Sequence, residues 1–273
     1  MVVQHNLTAM NSNRMLGLTS ASQAKSTEKL SSGYKVNRAA DDAAGLSISE
    51  KMRRQVRGLT QAASNAQDGI SMVQTAEGAL NEVHDMLQRM NELAVKAENG
   101  TLKEDDRDYI DAEVQQLKNE IDRVASTTTF NEQNLLDGTF STDHECELQV
   151  GAESGQHISF TIKQMNASGL SIKSETASSV TAAQSLNASV KAAITKVSQQ
   201  RSDLGAVQNR LEHTISNLNN VVENTTAAES AIRDTDMASQ MVKFSNNNIL
   251  AQAGQSMLAQ ANQINQGVLS LLQ

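Results

Sequence analysis

The sequence predicts a mainly α fold: a long antiparallel helical bundle or coiled coil, with a small β-hairpin patch and paired terminal helices. Three observations lead to this class. Proline and tryptophan are both absent from the 273 residues, and only 2% of the residues are aromatic. From Ala43 to Ala97, apolar residues recur at steps of three and four, which is the period of one helix face. Burial must therefore come from long aliphatic seams between helices rather than from aromatic side chains.

Charge and hydropathy exclude two classes of partner. The formal net charge is −8 and the pI is near 5.2, and no basic patch with interleaved aromatic residues is present, so we expect no binding to nucleic acid. No apolar run approaches the roughly 18 residues of a membrane span. Residues 1–20 lack a basic start followed by an apolar stretch, so no cleaved signal peptide is predicted. A cytoplasmic location and export without a cleaved signal would both fit.

The first part of the chain predicts a helix, a connector and a rod. A loose helical period extends over residues 1–32, and Gly33 offers a stop. Residues 35–42 form a connector, in which Asp41 or Asp42 can cap the next helix. The run Ala43–Ala97 is then one helix of about 80 Å at about 1.5 Å per residue. Its seam requires partner helices of similar length.

The middle of the chain adds two helices and a β-rich segment. A shorter helix is predicted to begin near Thr101, whose spacing to Glu104 matches a capping box. It should pack antiparallel to the rod because few residues join them. Residues 127–173 contain two alternating stretches bounded by turn residues, which predict a hairpin patch. Residues 178–234 return to a helical period and form the third member of the bundle.

The end of the chain has an unusual polarity. From Phe244 to Gln273 there are thirty residues without a charge, yet a helical apolar stripe continues. Side-chain amides can enter an interface without the large desolvation cost of ions. The first 24 residues have the same character, so we predict that the two ends pair with each other and then with other copies of the chain. The predicted polymerisation seams contain Leu7, Met10, Met241, Phe244, Leu250, Met257, Ile264, Val268 and Leu271.

This pattern predicts a domain organisation. Residues 1–38 and 237–273 would form the two halves of an inner, terminal-helix domain. Residues 39–236 would form a central helical-bundle domain that includes the β-rich segment at about 127–173.

No motif predicts an enzyme. His144, Glu145, Cys146 and Glu147 are adjacent metal-ligand types, but alternate residues of a strand face opposite sides. The single Cys146 cannot form an internal disulfide, and we expect it to be inert. The sequence contains no HExxH motif, nucleophile elbow or glycine-rich phosphate loop. We therefore expect no catalytic residues, no cofactor and no metal.

Several segments together resemble bacterial flagellin, in the order that they have in that family, and the resemblance covers nearly the whole chain. The matching segments are Lys29–Gly33 with Asn37–Leu46, Leu87–Val95, Phe130–Asn131 with Leu135–Gly138, Arg201–Arg210 and Leu258–Gln263.

The resemblance implies a structural subunit that polymerises into the flagellar filament for swimming motility. Members of the family leave the cell through the flagellar type III export channel without a cleaved signal peptide, so the implied location is extracellular. The implied partners are further flagellin subunits, an export chaperone that holds the C-terminal helix at about residues 236–273, and hook-associated junction and cap proteins. The variable region, residues 127–173, is short, as in a minimal form of the family.

The resemblance also implies contact with the animal innate immune receptor for flagellin. The family's contact maps onto Arg89 and Leu93 in the rod and Glu113 in the second helix, and we expect all three on a bundle surface.

Three alternative functions remain at this stage. A junction protein between hook and filament, from the same superfamily, would form limited rings rather than long fibres. A flagellin with a grafted metalloprotease is disfavoured by the absence of HExxH. An intracellular coiled-coil scaffold would be missing from filaments sheared from the cell surface.

Overall fold

The computed structural model describes residues 6–141 and 144–271, with side chains described up to residue 263 apart from the gap. The described residues form the helices α1 (Leu7–Ser32), α2 (Ala43–Ala97), α3 (Glu104–Thr127), α4 (Val180–Arg233) and α5 (Met237–Leu271). The strands are β1 (Thr129–Phe130), β2 (Gln133–Asn134), β3 (Cys146–Gln149) and β4 (His157–Phe160). The predicted class, mainly α with a hairpin patch and paired terminal helices, is confirmed.

The ends of α1 and α2 follow the local sequence signals. Gly33 takes the left-handed conformation, with φ 77°, and its N–H donates to the carbonyl of Lys29, which satisfies one of the last carbonyls of α1. Of the two predicted caps for α2, Asp42 performs this role, because its Oδ1 accepts a hydrogen bond from the N–H of Gly45 at 2.9 Å. Asp41 instead binds back into the connector.

The predicted start of α3 is wrong. The helix begins at Glu104, and the carboxylate of Asp106 accepts a hydrogen bond from the N–H of Lys103 at 3.1 Å. Thr101 lies before the helix, where its N–H donates to the side chain of Asn99 at 3.3 Å. The turn that Asn99 begins therefore occupies the residues that would have formed the first turn of the helix.

The chain divides into two compact units. One contains the residues up to Val56 together with those from Glu223 onward, and the other contains Arg57–Val222. Both divisions fall inside long helices, since α2 and α4 each contribute residues to both units.

The unit Arg57–Val222 is an antiparallel three-helix bundle. Arg89 pairs with Glu113 and Arg107 donates to the carbonyl of Ala97, so α2 and α3 run in opposite directions. The side chain of Asn187 donates to Glu98 at 2.6 Å, and Arg201 lies 3.7 Å from Glu77, so α4 is antiparallel to α2 as well. The core of this unit consists mainly of aliphatic side chains and methionines, as the seams predicted, together with Phe160 from β4.

The hairpin of β3 and β4 lies against α2 of the same unit. The two strands are antiparallel, with Cys146 opposite Phe160 and Gln149 opposite His157. Leu148 lies directly over Gly69 and Ala152 lies over Gly58. Because glycine has no Cβ, these positions let the hairpin approach the helix closely.

The segment that follows the hairpin is tied to α3. The N–H groups of Ala167 and Ala177 donate to Asp122 at 2.8 Å and to Asp111 at 2.7 Å, respectively. Between these two aspartates, the ammonium of Lys118 donates to the carbonyl of Glu175. Burial lowers the pKa of Lys118. One face of α3 therefore supplies hydrogen-bond partners for backbone groups of this segment, which has no regular secondary structure.

The other unit contains the paired helices α1 and α5. The side chain of Asn6 donates to the carbonyl of Ala261 at 3.0 Å, and the side chain of Asn247 donates to Ser22 at 3.1 Å. The two terminal helices therefore pair, as predicted from their shared composition, and they run antiparallel. Beyond their paired ends, the N–H of Lys35 donates to Arg233 at 2.7 Å and the N–H of Thr235 donates to Gly33 at 2.9 Å, so the two connectors bridge each other.

Candidate functional site

The seam between α1 and α5 is made mostly of small and polar residues. Covered positions recur at alternating steps of three and four on both helices, which is the heptad spacing of a coiled coil. On α1 they are Ala9, Ser12, Leu16, Thr19, Gln23, Ser26 and Leu30, and on α5 they are Gln240, Phe244, Asn247, Ala251, Gly254, Leu258 and Ala261. A Cβ placed on Gly254 would lie 3.3 Å from Leu16 Cδ1, so the helices approach closely there. Few large apolar side chains are therefore buried in the seam.

Most large apolar side chains of these two helices lie outside the seam, and the exceptions are Leu16, Leu30, Phe244 and Leu258. Ten of the side chains outside the seam are between 48% and 69% exposed: Leu7, Met10, Met15, Leu18, Met237, Met241, Val242, Ile249, Leu250 and Met257. On α1, Leu7, Met10 and Leu18 lie on the side opposite the seam and Met15 lies beside it, while most of those on α5 lie on the flanks and the back of the helix. Large apolar side chains exposed in this number on one helix pair indicate an interaction site. The helix pair therefore presents its hydrophobic surface outward.

Few charges interrupt this outer surface. Lys243 is the single Lys, Arg, Asp or Glu residue of α5, and Arg14 is the single one in α1 before Lys25. The guanidinium of Arg14 donates to the side chain of Asn11 at 3.0 Å. A groove of about 410 Å³ runs between α1 and α5 next to Asn11, and Met15, Leu250 and Met257 are among the residues that line it. A partner covering this surface would bury amides and aliphatic groups and would remove few ions from water.

The predicted seam residues divide between the inner and outer surfaces. Leu7, Met10, Met241, Leu250 and Met257 are exposed and form part of the outer surface. Phe244 is half-buried at a position of the inner seam, so it packs within the chain. The side chains of Ile264, Val268 and Leu271 lie outside the described residues.

Several members of the outer surface, such as Met15, Val242 and Ile249, are not among the predicted seam residues. They do not fall on the single stripe from which the seam was predicted. A usable signal was present: in a helix with almost no charge, apolar residues on every side indicate that more than one side is covered.

Two of the three predicted receptor-contact residues are exposed and paired. The guanidinium of Arg89 lies 2.9 Å from Glu113 across α2 and α3, and 3.0 Å from Glu92 on its own helix. These hydrogen bonds, chiefly the one to Glu113, raise the pKa of Arg89.

The expectation that Leu93 lies on the surface is wrong. Its side chain is 3% exposed and belongs to the main core of the bundle. Position 93 is three residues after Met90, which is fully buried. The two side chains therefore share the face of α2 that packs into the bundle.

The titratable side chains near Cys146 form no evident chemical site. The thiol is half-buried, it lies 3.9 Å from the sulfur of Met72, and burial raises its pKa. The imidazole of His157 lies 3.9 Å from Glu147 on the paired strand. Among residues 6–141 and 144–271, no cluster of three or more His, Cys, Asp or Glu side chains is arranged to hold a metal ion. In the same part of the chain, no helix is long and apolar enough to cross a membrane.

A three-helix bundle joined to a terminal helix pair with an apolar outer surface defines a class: helical structural proteins with an association surface at their ends. Comparison with known proteins specifies the family. The model of the bacterial flagellin N-terminal helical region matches residues 3–141, and that of the C-terminal helical region matches residues 186–272. The chain belongs to the bacterial flagellin family and is a structural subunit of the flagellar filament, which is extracellular.

Full-length relatives and solved structures agree with this assignment. A flagellin of Halalkalibacterium halodurans is 53% identical over 274 residues, and a flagellin of Bacillus subtilis is 50% identical over 305 residues, with all of each chain covered in both pairs. The crystal structure of Bacillus cereus flagellin superposes with a TM-score of 0.51 at 32% identity, covering 57% of this chain and 88% of that one. A putative flagellar hook-associated protein from Vibrio parahaemolyticus has a TM-score of 0.59 at 13% identity, covering 71% of this chain and all of the other, and this shows similarity of fold alone.

Proposed function

We propose that the chain polymerises into the flagellar filament through the outer surface of α1 and α5, and that the filament serves swimming motility. The observation that carries this proposal is the distribution of side chains in the helix pair: the inner seam is made mostly of small and polar residues, and ten large apolar residues are exposed outside it. Neighbouring copies would cover those side chains and gain the hydrophobic free energy that the isolated pair leaves unused. In this proposal, residues 1–38 and 237–273 act as the terminal-helix domain for assembly and residues 39–236 as the central helical-bundle domain.

Removal of residues 244–273 tests this proposal. We expect the truncated monomer to keep the bundle Arg57–Val222, because none of the core residues of that unit lies in the deleted segment. The truncated chain should fail to elongate short filament fragments that serve as seeds, whereas the full chain should elongate them. Electron microscopy and sedimentation measure elongation, and circular dichroism checks that the bundle is folded. Long fibres from the truncated chain would overturn the proposal, and limited rings from the full chain would indicate a junction protein.

Before assembly, the apolar outer surface of α1 and α5 is not yet bound by neighbouring subunits. We propose that an export chaperone binds α5, at about residues 236–273, and that the chain leaves the cell through the type III export channel without a cleaved signal peptide. The exposed Met241, Val242 and Ile249 supply apolar contacts for such a partner. Calorimetric titration with the chaperone should show weaker binding for Val242→Gln with Ile249→Gln than for Val242→Ile with Ile249→Leu, which keep the apolar character. Hook-associated junction and cap proteins would contact the subunits at the two ends of the filament.

A second proposed role is recognition by the innate immune receptor for flagellin. The exposed ion pair of Arg89 and Glu113 offers charged groups of both signs on one face of the bundle. Arg89→Ala and Glu113→Ala should each reduce receptor signalling by the monomer without unfolding it. Leu93→Ala should lower the stability of the bundle by about 2–5 kcal/mol, because it opens a cavity in the core. Unchanged receptor signalling by the Arg89→Ala monomer would overturn this second proposal.

A further inference from the structure

The exposure of the methionine side chains differs between the terminal helices and the bundle. Met10, Met15, Met237, Met241 and Met257 all lie on α1 and α5, and each is about half exposed or more. By contrast, Met72, Met90 and Met165 are at most 6% exposed in the bundle. Met52 and Met86 are intermediate. In the described chain, the exposed thioethers therefore coincide with the surface proposed for assembly.

An exposed thioether reacts with peroxides. The sulfur lone pair attacks one oxygen of hydrogen peroxide, an S–O bond forms and the O–O bond breaks, and the proton on the sulfur-bound oxygen passes to the departing hydroxide, which becomes water. The sulfur loses two electrons and the peroxide gains two. The product, methionine sulfoxide, is a polar side chain with a strong hydrogen-bond acceptor, and such a group disrupts methionine-rich interfaces.

We propose that the five exposed methionines of α1 and α5 are oxidation sites at which a peroxide switches the monomer to an assembly-incompetent form. The inference rests on the proposed polymerisation through these two helices. A sulfoxide on the outer surface stays hydrated in the monomer, so the fold of the helix pair and of the bundle is unaffected. In the filament the same oxygen would be buried among aliphatic groups with few donors to satisfy it.

The five residues lie on both helices of the pair, so the effects of their oxidation on assembly would add together. Met15 and Met257 line the same groove between α1 and α5. Met237 and Met241 are four residues apart on α5, so their side chains are neighbours on one face. Oxidation at several of these sites would place polar oxygens on both helices of the pair.

The lone thiol does not account for the same effect. Cys146 is half-buried and burial raises the pKa of its thiol, which reduces the thiolate that reacts with peroxide. It also lies on β3, in the bundle unit rather than on the terminal helices. A Cys146→Ser chain is therefore a matched control for sulfur chemistry elsewhere in the protein.

The test compares three full-length monomers before and after hydrogen peroxide: the natural chain, the Cys146→Ser chain, and a chain with Met10, Met15, Met237, Met241 and Met257 all changed to leucine. Leucine keeps the volume and helix propensity of methionine but cannot be oxidised. Peptide mass spectrometry locates the added oxygens, and sedimentation after seeding gives the critical monomer concentration. A final arm treats the oxidised chains with a pair of methionine sulfoxide reductases, one for each sulfoxide epimer.

We expect the five exposed methionines of α1 and α5 to oxidise before Met90 and Met165. After oxidation, the critical concentration for assembly of the natural and Cys146→Ser chains should rise about tenfold or more. Reductase treatment should restore it, and the leucine chain should assemble equally well with and without peroxide. Normal assembly by the fully oxidised natural chain would overturn the inference while leaving the proposed function intact. Assembly by the chain truncated at residue 243 would instead overturn the proposed function, and the inference with it.

Discussion

Gly69 and Gly78 lie in the same helix, but only Gly69 has a neighbour that a methyl group would hit. A Cβ at Gly69 would overlap the side chain of Leu148 on the hairpin, whereas a Cβ at Gly78 would meet nothing within 4 Å. The two glycines therefore separate two effects that the sequence alone cannot distinguish: the close approach of another element and the low helix propensity of glycine itself.

Gly69→Ala should leave the unit Arg57–Val222 about 1 kcal/mol less stable than Gly78→Ala does, because the side chain of Leu148 must shift to another rotamer to admit the methyl group. The matched control Gly78→Ala should stabilise the same unit by about 0.5–1 kcal/mol, since alanine has the higher helix propensity. Urea unfolding followed by circular dichroism measures both changes. Equal effects of the two substitutions would show that the hairpin does not pack on Gly69 in solution.

Asp41 provides a second effect at the level of one residue, this time dependent on pH. Its Oδ1 lies 2.9 Å from the ammonium of Lys25, and its Oδ2 accepts hydrogen bonds from the backbone N–H groups of Arg38 and Asn37. These contacts, with Lys25 the largest cause, lower the pKa of Asp41 from 3.8 to about 2. The ionised carboxylate therefore ties the connector after α1 to that helix.

A lowered pKa in the folded state means that the contribution of Asp41 to stability is fully present above pH 3.8 and is lost as the pH falls towards about 2. Asp41→Asn should accordingly lower the midpoint of thermal unfolding at pH 6, and its difference from the natural chain should shrink between pH 4 and pH 2. Lys25→Met should reproduce part of this pattern. A difference that stays constant over the range would contradict the assignment.

At the level of elements, the turn between α2 and α3 depends on a buried arginine. Arg107 is 8% exposed, and its guanidinium donates to the carbonyls of Ala97 at 3.0 Å and Asn99 at 3.1 Å. The last carbonyls of a helix have no partner within the helix. A side chain from the first turn of α3 therefore caps the end of the 55-residue helix α2.

Arg107→Met should destabilise the bundle by about 2 kcal/mol, because it removes the side-chain donor of the buried Ala97 carbonyl and one of the two donors of the Asn99 carbonyl, which still accepts from the N–H of Leu102. Arg123→Met is the control on the same helix: Arg123 pairs with Glu120 on the surface, and the loss of an exposed pair costs at most about 1 kcal/mol. Chemical denaturation of the two variants, compared with the natural chain, gives both values. Similar losses would mean that Arg107 is not an essential cap.

At the level of the whole molecule, the proposed filament contact depends on the outer surface of both terminal helices. Leu18 is 59% exposed on α1 and Ile249 is 64% exposed on α5. Neither belongs to the inner seam, so changing them need not disturb the pairing of α1 with α5.

Leu18→Gln together with Ile249→Gln should leave the helical signal of the monomer unchanged and raise the critical concentration for assembly about tenfold or more, because two apolar contacts are lost. The control chain, with Leu18→Met and Ile249→Leu, keeps both contacts apolar and should assemble normally. Sedimentation after seeding distinguishes the two chains. If the glutamine chain assembled as well as the control, these two positions would lie outside the subunit contacts.

Much of the fold was predictable because its signals are local. The period of apolar residues gave α2 its limits at Ala43 and Ala97, and Gly33 marked the end of α1. The hairpin was visible in its alternation. The start of α3 was missed because Thr101 carries a cap signal, and the turn formed by Asn99 competes with it.

The sequence by itself determined that the chain consists of long helices with uncharged ends, because helical period and charge depletion can be read residue by residue. The tertiary structure alone decided which sides of those helices face inward. It placed Leu93 and Phe244 inside and Met15 and Ile249 outside. The physical reason is that apolar residues on several sides of a helix leave its orientation undefined, until small residues such as Gly254 admit a close neighbour. That neighbour, Leu16, lies near the opposite end of the chain, beyond the reach of any local pattern.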